Sequence, residues 1–189
     1  MIGDAFNEVL EAAAGGDERA FAVLWRDLQP GLLRYLKVMA PGVAEDLASE
    51  TWLDVIRGLP RFEGTELGFR AWVFTVARHR VADWRRRMVR QPAIPVPANL
   101  LPQQAAPDDP AGTAVEAIST AAALALIAEL PPDQAEVVAL RSVAGLDVAR
   151  VAEIVGKQPG AVRVLSHRGL RRLAERLGAE QRLRGGVTG

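Results

Sequence analysis

The sequence contains no cysteine, which excludes a disulfide framework and zinc sites built on thiolates. Aromatic residues make up only 5% of the chain. Ala and Leu are frequent while β-branched residues other than Val are sparse, so helix is the expected secondary structure. No hydrophobic run approaches the ~20 residues of a membrane span, and the first residues lack the basic start of a signal peptide. We therefore expect an all-α protein that is soluble and cytoplasmic.

The chain also has no net charge, because 23 basic residues balance 23 acidic ones. The two signs are nevertheless segregated along the sequence. Residues 69–90 and 157–176 are rich in arginine and each contain a single acidic residue, whereas residues 41–66 are mainly acidic. The two basic segments predict contacts with a polyanion such as nucleic acid. The acidic segment predicts a basic protein partner, since it would repel DNA.

Six of the twelve prolines fall between residues 91 and 112. Such a density precludes a helix and predicts an extended linker. Fully stretched, this segment can reach roughly 70 Å at ~3.3 Å per residue, against about 25 Å for a flexible coil. We therefore predict two small helical domains, residues 1–90 and 113–178, that can lie far apart on one partner and are followed by a tail at 179–189.

In the first domain, the apolar spacing predicts a helix that Asp17 caps and that is kinked or broken at Pro30 and Gly31. A second helix is predicted over residues 44–59 and a third from about residue 67 to residue 90. The loop between these two, residues 60–68, contains two glycines.

In the second domain, helices are predicted over residues 113–130 and from Asp133, as N-cap, to residue 145. Asp147 then caps a short helix, a tight glycine turn follows, and Pro159 opens the last, arginine-rich helix. This order is typical of a helix–turn–helix, whose second helix enters the major groove. An ordinary helical hairpin with a solvated basic face is the alternative.

The acidic helix carries several polar side chains on one surface, namely Asp46, Ser49, Glu50 and Asp54. No histidine accompanies the carboxylates, so neither acid–base catalysis nor a metal site is favoured. A solvated face and a protein-docking face both remain open at this point.

The helix at 67–90 interleaves an aromatic ring with cations, as binders of single-stranded nucleic acid do. The stripe consists of Trp72, Thr75, His79, Arg86 and Arg90. A partly buried core position for Trp72 agrees equally well with the spacing. The sequence contains no glycine-rich phosphate loop, nucleophile elbow or cluster of Cys and His. We predict no catalytic residue, no metal, no cofactor and no enzymatic activity.

Taken together, these segments resemble the extracytoplasmic-function (ECF) sigma factors of bacterial RNA polymerase, over about residues 17–177. AEDLASETWLDVIRGL is similar to the family's polymerase-docking helix and FRAWVFTVARHRVADWRRR to its promoter-melting helix. ELPPDQAEVVALRSVAGLDVARVAEIVG and AVRVLSHRGLRRL resemble its minus-thirty-five-binding domain. Two segments depart from the family. His79 stands where Asn is usual, and the last helix has Val164, Leu165, Ser166 and Leu170 in place of the more frequent Ser, Arg, Leu and Arg.

The resemblance implies that residues 1–90, as sigma region two, dock on core RNA polymerase and hold the melted minus-ten strand. Residues 113–178, as region four, would read the minus-thirty-five duplex. It assigns polymerase contacts to Asp46, Ser49, Glu50 and Asp54. It assigns minus-ten contacts to Phe62, Glu63, Thr65, Trp72, Thr75, His79, Arg86 and Arg90, and minus-thirty-five contacts to Lys157, Arg163, His167, Arg168 and Arg171.

In the family, the loop at 61–68 helps to form a pocket for a base flipped from the non-template strand. A position of Phe62 as a cap on the domain core is the alternative. The resemblance also allows for an inhibitory partner, an anti-sigma protein.

Two other functions fit parts of the sequence. A one-component helix–turn–helix repressor would bind duplex operator DNA without polymerase. A helical adaptor protein would use the acidic face alone and would bind no DNA. Binding to core polymerase with promoter-dependent transcription separates a sigma factor from both.

Overall fold

The computed structural model describes the backbone of residues 1–90 and 114–185 and the side chains of residues 1–90 and 120–178. The regular elements of these residues are all helical, which confirms the all-α prediction. The predicted linker at 91–112 lies outside the described residues. The helices are α1 (Phe6–Ala14), α2 (Glu18–Met39), α3 (Ala44–Gly58), α4 (Glu66–Arg90), α5 (Ala114–Ala128), α6 (Pro132–Val138), α7 (Val148–Val155) and α8 (Pro159–Gly185).

The first four helices enclose one core, to which α2, α3 and α4 each turn an apolar side. Leu32, Leu36, Val55, Val73 and Phe74 are completely buried there. Helix α1, which is absent from the predicted elements, covers one end of this core. Its apolar positions recur every three to four residues, which is the signal that would have indicated it.

Helix α2 begins as predicted and continues further than predicted. The carboxylate of Asp17 accepts hydrogen bonds from the backbone N–H groups of Arg19 and Ala20, at 2.7 and 3.0 Å, which confirms the N-cap. No break occurs at Pro30 and Gly31, because α2 runs through both to Met39. Pro30 is exposed, as is Arg26 four residues earlier, so water can satisfy the carbonyl that the proline leaves without a partner.

The second half contains the helix–turn–helix. Asp147 caps α7 by accepting from the N–H of Arg150 at 2.8 Å, and Gly156 ends it in the left-handed conformation with φ 66°. Pro159 is the first residue of α8, as predicted. Two boundaries differ: α6 follows Pro131 as N-cap rather than Asp133, and α8 extends to Gly185, beyond the predicted domain end at 178.

Helix α8 packs on α6 through a close approach at Gly169. A Cβ atom added there would lie 2.7 Å from Cγ2 of Val138, so a larger side chain forces the helices apart. We expect Gly169→Ala to lower the free energy of unfolding by about 1–3 kcal/mol, measured by urea denaturation. Gly160→Ala is the matched control, because a Cβ at Gly160 meets no atom within 4 Å. Equal unfolding midpoints for the two variants would contradict this packing.

The two groups of helices pack against each other. Arg78 of α4 donates from Nε to the carboxylate of Glu136 in α6 at 2.9 Å. Arg70 donates to the carbonyl oxygen of Ala144 at 3.5 Å. Tyr35 is completely buried; this burial, followed by the charge of Glu136, raises the pKa of its hydroxyl. Helix α2 also packs against α5 and α6, and buried apolar residues of both halves form one cluster. The polar contacts therefore add to an apolar junction between the two halves.

Candidate polymerase and nucleic-acid interfaces

The outer face of α3 is exposed and partly apolar. The residues that face the core are Ala44, Leu47, Ala48, Thr51, Trp52 and Val55. On the opposite side, Leu53 is 53% exposed and Ile56 is 48% exposed, beside the exposed Asp46 and Ser49. Sequence analysis identified the two polar residues and missed the two apolar ones. Both apolar residues lie outside the buried stripe of the helix, and this position is the sequence signal that could have identified them.

Two of the three carboxylates among the predicted polymerase contacts pair with arginines of α4. Arg80 of α4 donates from Nε to the Asp54 carboxylate at 2.6 Å. Glu50 lies 3.6 Å from the guanidinium of Arg80 and 3.7 Å from that of Arg87. The hydrogen bond from Arg80 to Asp54 raises the pKa of that guanidinium. Glu50 and Asp54 therefore join α3 to α4, whereas the Asp46 carboxylate is fully available at the surface.

This difference predicts opposite effects on stability. We expect Asp54→Lys to lower the free energy of unfolding by about 1–3 kcal/mol, since it removes the hydrogen-bonded partner of the half-buried Arg80 and places a second cation beside it, which leaves only the longer contact with Glu50. Asp46→Lys changes charge by the same amount on the same helix and should leave the unfolding midpoint within about 0.5 kcal/mol of the wild type. Urea denaturation of both variants measures this. A midpoint unchanged by Asp54→Lys would refute the structural role.

An aromatic cluster supports the loop at 61–68. The ring of Phe62 stacks on Trp72, with centroids 5.1 Å apart and planes at 24°, and meets Phe69 edge-on at 5.3 Å. Both Phe62 and Trp72 are half-buried, so each ring keeps an exposed part. A Cβ at Gly58 would lie 2.6 Å from Trp72, so the indole rests directly on the end of α3. The hydroxyl of Thr65 accepts from the N–H of Gly68 at 3.2 Å, which orders the start of α4.

A cleft of about 380 Å³ opens on the other side of the loop. It lies between the loop and α1, and its lining includes Asn7, Leu10, Glu11, Phe62 and Glu63. The cleft therefore combines an aromatic wall with amide and carboxylate groups. Aromatic surface and hydrogen-bonding groups are what a protein uses to hold an unstacked base.

The remaining minus-ten candidates follow one surface of α4. His79, Arg86 and Arg90 are exposed, while Trp72 and Thr75 are half-buried. The Thr75 hydroxyl donates to the carbonyl of Ala71 at 2.8 Å. Arg86 donates a hydrogen bond to Asp83, and this contact lowers the pKa of the carboxyl group. The structure thus brings the predicted stripe onto a single face.

The minus-thirty-five candidates lie on and just before α8. Arg163, His167 and Arg168 are exposed. Lys157 pairs with Asp133 at 3.0 Å. Arg171 donates to Glu175 at 2.8 Å, and this bond raises the pKa of its guanidinium. Arg163, His167 and Arg168 therefore face solvent without an ion pair among the described residues.

Comparisons with known proteins match both halves of the chain. Residues 24–91 match the family model of sigma-70 region 2, and residues 120–173 match that of sigma-70 region 4. The chain is 39% identical over 176 residues to the ECF RNA polymerase sigma factor ShbA of Streptomyces griseus, covering 87% of this chain and 91% of the relative. It is 34% identical over 184 residues to SigD of Mycobacterium tuberculosis, covering 94% and 86%.

Two solved structures share the fold. CnrH in complex with the cytosolic domain of CnrY superimposes with a TM-score of 0.65 at 19% identity, covering 93% of this chain and 99% of that one. The sigma factor RpoE in complex with the anti-sigma factor NepR from Bartonella quintana gives 0.62 at 21% identity, covering 84% and 96%.

Within the described ranges, no helix combines the length and the apolar character needed to cross a membrane. Family membership determines the partners, which are core RNA polymerase in the cytoplasm and promoter DNA. The chain belongs to the ECF sigma factors, the initiation factors that direct RNA polymerase to specific promoters.

Proposed function

We propose that this sigma factor divides its work among three exposed helix faces and performs no catalytic step of its own. Region two, residues 1–90, docks on core polymerase through α3 and holds the melted minus-ten strand with α4 and the loop at 61–68. Region four, residues 113–178, reads the minus-thirty-five duplex with α8. The observation that carries this proposal is that each of the three helices has exposed side chains on the side opposite its buried residues.

The docking face on α3 combines apolar anchors with a carboxylate. Leu53 and Ile56 are large apolar side chains, and their joint exposure does not stabilise the free chain. Binding of a partner would remove both from water. Asp46 adds a negative charge at their border. Such a pattern, an apolar centre with a charged rim, is typical of a protein interface. The complementary surface on polymerase would be apolar and basic.

The melting face on α4 offers cations and one partly exposed ring to a single strand. His79, Arg86 and Arg90 would follow the phosphates, and Trp72 would supply a stacking surface. Binding through phosphates makes the affinity fall as salt rises. Glu63 and Thr65 in the loop would contact the edge of an extruded base.

Region four would contact duplex DNA through the solvent side of α8. Arg163 lies in the second turn of the helix, in the half that reaches base edges, and its guanidinium can pair with guanine or phosphate. His167, Arg168 and Arg171 follow at helical spacing and would contact the backbone, together with Lys157. Among these, Lys157 and Arg171 would exchange their carboxylate partners for phosphates.

The experiment that tests this function is reconstitution of the full chain with core polymerase. We expect run-off transcription from duplex promoters that neither component transcribes alone, with footprints over both promoter elements. A one-component repressor would instead protect duplex DNA without polymerase and support no transcription. Core binding with no DNA protection would leave only an adaptor role.

Promoter binding also requires the two halves to separate. Their contact consists of the packing of α2 against α5 and α6 together with the part-exposed pair of Arg78 and Glu136. The pair itself is worth only about 0–1 kcal/mol, so binding to polymerase must mainly offset the loss of the apolar packing. We expect core polymerase to open the junction, seen as a longer dye separation in single-molecule FRET between Val23→Cys and Leu177→Cys. The native chain contains no cysteine, so labelling is confined to these exposed sites. An unchanged separation in active holoenzyme would refute the opening.

The compared structures suggest a further partner. CnrH and RpoE are each seen in a complex, the latter with an anti-sigma factor. We propose that an anti-sigma protein likewise regulates this chain by covering a face that polymerase needs. Pull-downs from the native cell that recover polymerase and no stoichiometric inhibitor would contradict this.

A further inference from the structure

Helix α8 has an apolar residue at the centre of its solvent face. Val162 and Gly169 are buried against the rest of region four, and they define the inner side of the helix. At about 100° per residue, Val164 falls on the opposite side, and it is 48% exposed. Among the residues that the structure describes, neither packing nor charge explains a β-branched apolar residue there.

The neighbours of Val164 on this face identify the kind of partner. His167, Arg168 and Arg171 lie three, four and seven residues further along, so they share its surface. All three are exposed. Arg168 and Arg171 are cationic, and Arg171 can exchange Glu175 for another anion. A partner that fits this face is therefore anionic and also offers an apolar group to Val164. A duplex meets both conditions, because the thymine C5-methyl is the apolar group at the base edges of the major groove.

The leading end of α8 contains few polar side chains. Gly160 and Ala161 precede Val164 on the same exposed side, and a Cβ at Gly160 would meet open space. The backbone can therefore approach a groove closely at this end. Arg163 is the polar side chain in these turns that can contact base edges, and it lies at the side of the exposed face rather than at its centre. Apolar contact is the readout that the remaining positions can provide.

We propose that Val164 contacts the methyl group of a thymine in the minus-thirty-five duplex and is a specificity-determining residue of this sigma factor. The inference rests on the proposed function of α8 as the duplex-reading helix. It assigns direct readout at one position to van der Waals contact instead of a hydrogen bond. Replacement of Val164 should therefore change sequence preference at one base pair and leave the contribution of the flanking cations unchanged.

The test removes the methyl group of thymine and the side chain of Val164 separately. Holoenzyme of the full chain and core polymerase selects from promoter fragments whose upstream element is randomised, synthesised either with thymine or with deoxyuridine, which lacks the methyl group. At one position, we expect the wild type to prefer thymine in the first library about fourfold more strongly than it prefers deoxyuridine in the second. This factor corresponds to the contribution of one buried methyl group. Holoenzyme carrying Val164→Ala should show a clearly smaller difference between the two libraries, because alanine leaves only part of the apolar contact.

Leu177→Ala is the matched control, since Leu177 is 46% exposed on the same helix but away from the face of Val164. It should keep the thymine preference of the wild type. Identical wild-type selection from both libraries, or a methyl preference that Val164→Ala leaves undiminished, overturns the proposal. Failure of wild type to enrich any upstream sequence would overturn duplex reading by α8 itself, and the proposed function of region four with it.

Discussion

Replacement of Leu53 and Ile56 by arginine is expected to weaken binding to core polymerase by at least about 30-fold. One apolar side chain at the centre of an interface contributes about 2 kcal/mol, and each 1.4 kcal/mol is a factor of ten. Both residues are about half exposed in the free chain, so the arginines should not disturb the core. In the complex, however, they would place two charges in the apolar part of the interface.

Competition binding of the double variant to core polymerase measures this loss, with thermal unfolding as the check on the fold. Leu177→Arg makes the same chemical change at an exposed leucine of region four and should leave core binding by region two intact. If the double variant folds and binds core polymerase as tightly as wild type, the outer face of α3 is not the docking surface.

Local signals in the sequence predicted local features correctly. Asp17 and Asp147 were identified as helix caps because each carboxylate reaches N–H groups two or three residues ahead. The same holds for Pro159, which is accepted in the first turn of a helix wherever it lies. Break signals were less informative, because whether Pro30 interrupts α2 depends on which side of the helix faces water.

Contacts between two helices could not be predicted from the sequence. The acidic pattern of α3 does not reveal that Arg80 and Arg87 of α4 face Glu50 and Asp54. Nor does it show that Leu53 faces outward, since that requires knowing which side α4 covers. The family resemblance assigns docking to α3, and the packing determines which of its residues are accessible.

The aromatic cluster is the second place where core and function overlap. The stack of Phe62 on Trp72 buries one part of each ring and joins the loop to α4. Phe62 also borders the cleft that Asn7 and Glu11 line from α1. A purely structural role and a role in holding a flipped base are therefore both compatible with the position of Phe62, and only promoter opening separates them.

We expect Trp72→Ala and Phe62→Ala each to slow opening of a duplex promoter by about 10- to 100-fold, because loss of one base–aromatic stack costs about 1–3 kcal/mol. Permanganate reactivity of the melted strand and run-off transcription measure opening. A pre-melted promoter no longer requires a base to be unpaired and extruded, a step that costs a few kcal/mol. It should therefore restore most of the activity of both variants.

Phe69→Leu distinguishes a loss of stability from a loss of base capture. Phe69 belongs to the same aromatic cluster, but it is only 2% exposed and cannot reach DNA. This variant should lower the unfolding temperature and impair duplex and pre-melted templates to the same degree. If Trp72→Ala and Phe62→Ala behave like Phe69→Leu, the two rings only support the fold. Selective rescue by the pre-melted template is the result that base capture requires, since only then is the lost free energy confined to the step in which the base leaves the helix.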